Sequence, residues 1–130
     1  MFYKKSLFIL ICMFLLTCND SYGTLITYDD SDLYYTSNIT SHEAHKLGTY
    51  LVEGEFFTPG NTVSVQIDKT GKTYEFRMVV KKGIEKDPEY IEIAKLMAYA
   101  LSEDVFNGSP VDIHLCDPYF ETIRVVVWLY

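Results

Sequence analysis

Cysteine is scarce in this chain and poorly placed for cross-linking. Of the three cysteines, Cys12 and Cys18 lie near the N-terminus and leave Cys116 alone in the rest of the chain. A lone thiol makes no intrachain disulfide, so the domain must stand on its own core. Basic side chains are also few, 11 against 18 acidic ones, for a formal net charge of −7. An acidic domain repels phosphate backbones and offers no polybasic membrane patch, so nucleic acid is not expected as a partner. Long apolar runs are missing as well. The stretch Leu7–Leu16 is the longest, about half of the roughly 20 residues that span a bilayer. No motif marks a catalytic or cofactor site, and no cofactor is expected.

Lys4 and Lys5, the apolar run and the small residues of Ser21-Tyr22-Gly23 together have the form of a secretory leader over residues 1–23. Leu15-Leu16-Thr17-Cys18 resembles the lipobox of bacterial lipoproteins, although Leu16 and Thr17 are larger than that motif prefers. Two exits therefore stand open, lipidation at Cys18 or simple cleavage after Gly23. Both place the domain outside the cytoplasm, as an envelope lipoprotein or a secreted or periplasmic protein. The membrane would be touched only through a lipid on Cys18. Removing Lys4, Lys5 and Asp20 leaves nine of the 11 basic and seventeen of the 18 acidic side chains, a net charge of −8. About two-thirds of the unfolded surface is buried by a chain of roughly this size, enough for one core without staples.

Residues 24–40 are polar and rich in Tyr and Asp. They show no sustained period and are expected to form an arm or linker. The domain proper is expected over residues 41–130. Thr40 or Ser41 caps a first helix that stops at Gly54. Val63, Val65 and Ile67 alternate with polar residues, as in a half-buried strand. Lys69-Thr70-Gly71-Lys72 turns the chain into a second strand. Asp87-Pro88 opens a second helix. Val111–Cys116 and Thr122–Tyr130 read as two further strands. The expected class is α+β: two helices on one face of a four-stranded antiparallel sheet, in the order αββαββ.

The two halves match each other. Lys46-Leu47 with Tyr50 recurs as Lys95-Leu96 with Tyr99, and Phe76–Val80 recurs as Ile123–Val127. This suggests an internal αββ duplication and a permuted ferredoxin-like sheet. Its four strands would lie in the order 1-2-4-3, with the second and fourth central. Arg77 and Arg124 are equivalent in that repeat. They would sit together on the open face with Val79, Val126, Trp128 and Tyr130, a composition like that of an interface. Such a face suits an anionic ligand, a protein partner or a second copy of the chain.

The remaining candidates are thinner. His42 and His45 are three apart, whereas a zinc-protease helix needs four, and no metal site is expected. Asp112, His114 and Cys116 share one face of a strand. Neighbours two apart on a strand are about 7 Å apart, too far for a direct thiol–imidazole bond. The leading expectation is therefore an exported, non-catalytic binding domain that uses its open sheet face. The alternatives are a small exported enzyme using His114 or Cys116, and an inhibitor or accessory subunit of an envelope complex.

Overall fold

The computed structural model describes residues 22–127. The expectations for residues 1–21, including the leader and Cys18, and those for Trp128 and Tyr130 lie outside the described residues. Among the described residues, six strands and two α-helices follow one another: β1 (Thr24–Tyr28), β2 (Ser31–Tyr35), α1 (Ser41–Glu53), β3 (Ser64–Thr70), β4 (Thr73–Val79), α2 (Pro88–Asp104), β5 (Val111–Cys116) and β6 (Thr122–Val127). All six strands form one sheet in the order β1-β2-β3-β4-β5-β6. The hairpins β1–β2, β3–β4 and β5–β6 are antiparallel. The pairs β2–β3 and β4–β5 are parallel, each joined through a helix.

The four-stranded antiparallel sheet and the permuted ferredoxin-like order are therefore wrong. The polar stretch taken for an arm supplies the hairpin β1–β2. Its strands join through Asp29 and Asp30, and Asp29 adopts a φ of 53°. Aspartate is among the few residues that tolerate this left-handed turn conformation. The β3 and β5 strands, expected at the edges, are central, and β6, expected to be central, is an edge.

Local chemistry explains both helices. The Thr40 hydroxyl accepts from the Glu43 amide while the Glu43 carboxylate accepts from the Thr40 amide, satisfying two donors that a helix start leaves open. Asp87 caps α2 by accepting from the Glu89 amide, and Pro88 occupies its first turn. Ala44, Leu47 and Leu51 of α1 and Ile91, Ala94, Ala98 and Leu101 of α2 turn inward. They cover three cross-sheet rows: Leu33–Val65–Met78–Leu115, Tyr35–Ile67–Phe76–Ile113–Val126 and Lys69–Tyr74–Val111. The Tyr50 hydroxyl of α1 donates to Asp104 of α2 at 2.6 Å, so both helices lie on one face.

This arrangement has a consequence for handedness. The pair β2–β3 runs opposite to β4–β5, yet both connections step the same way across the sheet. With both helices on one face, the two crossovers have opposite hands. One of them is left-handed, the rare sense for this connection.

Candidate functional site on the open face

The face without helices is polar at its centre. Register brings Leu25, Tyr34, Gln66, Arg77, His114 and Val125 into one row across the sheet, and Asp68, Glu75, Asp112 and Val127 into the next. Four side chains from three strands close a ring. Arg77 Nη2 lies 3.2 Å from Glu75 Oε2, and Arg77 Nη1 donates to Thr122 Oγ1 at 2.8 Å. Thr122 Oγ1 lies 2.9 Å from His114 Nδ1, and His114 Nε2 lies 3.2 Å from Glu75 Oε2. One proton arrangement satisfies every member. The Thr122 hydroxyl donates to Nδ1 and accepts from Arg77, while the His114 Nε2–H donates to Glu75.

A β-bulge makes this ring. Between Leu115 and Cys116 the register shifts, so that Cys116 faces Thr122 and not Ile123. A bulge re-aims the side chains beyond it, and here it brings Thr122 beside His114 on the open face.

Electrostatics follow from the packing. Burial pushes the His114 pKa down, the Arg77 charge adds to the fall, and Glu75 and Asp112 oppose it. Burial raises the Asp112 carboxyl above its ordinary value, with His114 opposing and Glu75 adding to the rise. Burial also raises the Cys116 thiol. A hollow of about 360 Å³ opens beside the ring, lined by Thr70, Thr73, Glu75, Asp112, His114 and Val125.

The other end of the face is aromatic. Tyr22 meets Phe120 edge-on at 5.1 Å and Tyr34 at 5.6 Å. Tyr34 in turn meets Phe120 at 5.8 Å.

The structure separates residues that the sequence repeat had paired. Arg77 faces the open side, bonded to Glu75 and Thr122. Arg124 is paired with Leu115 on the helix side, where it donates to the Glu85 carbonyl at 2.9 Å. The expected arginine pair does not exist. Val126, expected on the open face, is buried among the core residues under the helices. The cause is parity. A two-residue turn joins β3 to β4, whereas five residues and a bulge join β5 to β6. A one-residue change of register moves every side chain of a strand to the opposite face.

His114 is brought into the ring through cross-strand partners, not through its strand neighbours. Cys116 is fully buried, its Sγ directed at the His114 carbonyl at 3.5 Å. In α1, His45 Nδ1 lies 2.8 Å from the Ser41 carbonyl. Glu43, between the two helix histidines, caps α1 and accepts from the Tyr74 hydroxyl of β4. Burial and this bond raise the Tyr74 hydroxyl to about 12. By parity the sequence sets Glu75 on the face of Arg77, and Gln66 opposite the apolar side of its own strand. Thr122 is the member it misses, because only the bulge brings it there.

The family model AF_1994_N, a family N-terminal domain, matches residues 25–126. The chain belongs to the AF_1994_N family. The matched region runs from within β1 to within β6, so it takes in most of the hairpin β1–β2 and the ring residues Glu75, Arg77, His114 and Thr122. No curated protein and no solved structure matches the chain.

Proposed function

We propose that this AF_1994_N domain is an exported, non-catalytic interaction module acting outside the cytoplasm, and that its contact surface is the β6 margin of the open face. The observation that carries this reading is the composition of that edge. Ile123, Val125 and Val127 are exposed at 47, 43 and 47%, and among the described residues β6 has a neighbour on one side only. An edge strand presents unpaired backbone donors and acceptors. Soluble proteins usually blunt such edges with lysine, proline or inward-pointing charges. From Thr122 to Val127 the only charged residue is Arg124, and its guanidinium is turned to the helix side. The edge is thus suited to accept another strand. Export rests on the leader-like pattern of residues 1–23.

The occupant that fits is a second copy. Antiparallel pairing of two β6 strands about Val125 sets Arg124 opposite Val126 and Ile123 opposite Val127. This register avoids setting two arginines against each other, which would be destabilising. Sedimentation velocity across a concentration series tests it. The expected result is a concentration-dependent dimer that Val125→Lys abolishes. A wild-type protein that stays monomeric at every soluble concentration overturns it.

One observation favours a second reading. Glu75, His114 and Thr122 are ordered as carboxylate, imidazole and hydroxyl, the order of a hydrolase triad. It ranks second because Arg77 donates to both Glu75 and Thr122. The neighbouring hollow also opens at Glu75 and Asp112, not at Thr122. The buried thiol of Cys116 gives no support to a cysteine enzyme.

A further inference from the structure

The start of the fold bears on where export processing cuts the chain. Tyr22 and Gly23 belong to the small-residue exit of the leader pattern, yet both are built into the domain. The Tyr22 carbonyl accepts from Gln66 Nε2 at 2.9 Å. Gln66 is only 9% exposed, and a buried amide donor needs a partner. The Tyr22 ring packs on Phe120 and Tyr34. Phe120 is itself 7% exposed and holds a φ of 58°, a conformation that a bulky residue keeps only when its surroundings enforce it. Gly23 has a φ of 100°. A β-carbon there would collide with the Tyr35 carbonyl, so glycine lets the chain pass close to β2 before it enters β1.

Cleavage after Gly23 would remove all of this. It would take the lid off Phe120, leave the Gln66 amide without its acceptor and discard the close approach for which Gly23 is suited. Resting on the export reading above, we infer that the processing protease hydrolyses a peptide bond upstream of Tyr22, so that the mature chain begins between Thr17 and Ser21. The apolar run ends at Leu16, which sets the upstream limit. Tyr22 and Gly23 are then functional parts of the mature domain.

The geometry also orients the domain. The chain enters the described fold at Tyr22, over Gln66 and against Phe120, on the open face. A mature chain beginning at residue 18 extends at most about 14 Å beyond Tyr22. Whatever holds that N-terminus therefore sits next to the open face, and the helix layer points away from it.

Intact mass and N-terminal sequencing of the product recovered outside the cytoplasm of a secreting host test the cut. The expected N-terminus falls between Thr17 and Ser21. A mass increment of one diacylglyceryl group would place it at Cys18. An exported chain beginning at Thr24 overturns this inference and leaves the export reading standing. A chain that starts at Met1 outside the cell overturns the cut alone, and one retained in the cytoplasm overturns both. A second measurement does not depend on the host. Tyr22→Ala in the mature protein is expected to lower the melting temperature by about 5–10 °C. An unchanged melting temperature would show that Tyr22 is dispensable and overturn the inference.

Discussion

The two faces of the sheet are held by different physics. Under the helices, Val65, Ile67, Phe76, Ile113 and Leu115 are fully buried and interlock by shape alone. Such a surface tolerates exchange of one apolar residue for another of similar volume. On the open face, Glu75, Arg77, His114 and Thr122 are held by directed bonds, and each depends on the register of its strand. The covered face needs the right amount of apolar volume. The open face needs particular atoms at particular distances.

The comparison breaks most sharply with one substitution on each face. Phe76→Ala empties the centre of the covered face and is expected to cost about 3–5 kcal/mol, read as a lower urea midpoint. Midpoints that fall as far for Arg77→Ala would erase the distinction. Glu75→Ala deprives Arg77 and His114 of their shared carboxylate. The expected loss is smaller, about 2 kcal/mol, because these groups keep some solvent contact.

Between those extremes and the surface lies the effect of pH. The folded His114 pKa is depressed below its ordinary 6.5, so below that value the unfolded chain binds a proton that the folded chain resists. The stability that this histidine contributes is present above about pH 6.5 and is lost as pH falls toward its folded pKa. Protonating Nδ1 would also turn the Thr122 hydroxyl bond against itself. Denaturant midpoints measured from pH 8 to 5 check this. His114→Asn is expected to flatten the curve between pH 6.5 and 5, and an equally steep curve in that variant would assign the effect elsewhere.

The smallest change in stability is expected from Val125→Lys, within about 0.5 kcal/mol as for an ordinary surface site. The same substitution is expected to remove the dimer. A large loss of stability without change in association would make Val125 a packing residue of the sheet and not a contact.

Much of the covered face was legible in the sequence. Alternation marked Val65 and Ile67 in β3 and Phe76 and Met78 in β4, and the caps at Thr40 and Asp87 marked the helix starts. The hairpin β1–β2 was hidden because its strands carry Thr, Tyr and Asp and only Ile26 and Leu33 as aliphatic residues facing the core side. Its best clue was a two-residue Asp-Asp link between Tyr-rich and β-branched stretches. Ser31 at the start of β2 is fully buried, and its hydroxyl bonds to the Asn61 carbonyl and the Val63 amide. No periodicity rule anticipates a buried serine of that kind.

On the open face, parity alone placed Asp68, Glu75 and Arg77 correctly, but none of the bonds between strands was legible. His114 stood out in the sequence, and its strand neighbours Asp112 and Cys116 were too far along the strand to bond it directly, but its partners in space, Glu75 and Thr122, could not be read there. By itself, the sequence determined the acidic balance, the helix starts and the apolar alternation of the central strands. All of these depend on a few neighbouring residues and on side-chain chemistry. Only the tertiary structure decided the six-strand order, the opposite hands of the two crossovers and the bulge that brings Thr122 onto the open face while Arg124 faces away from Arg77. Strand pairing is a choice among distant partners. A one-residue difference in a loop, nearly costless locally, moves an entire strand's side chains from one face to the other.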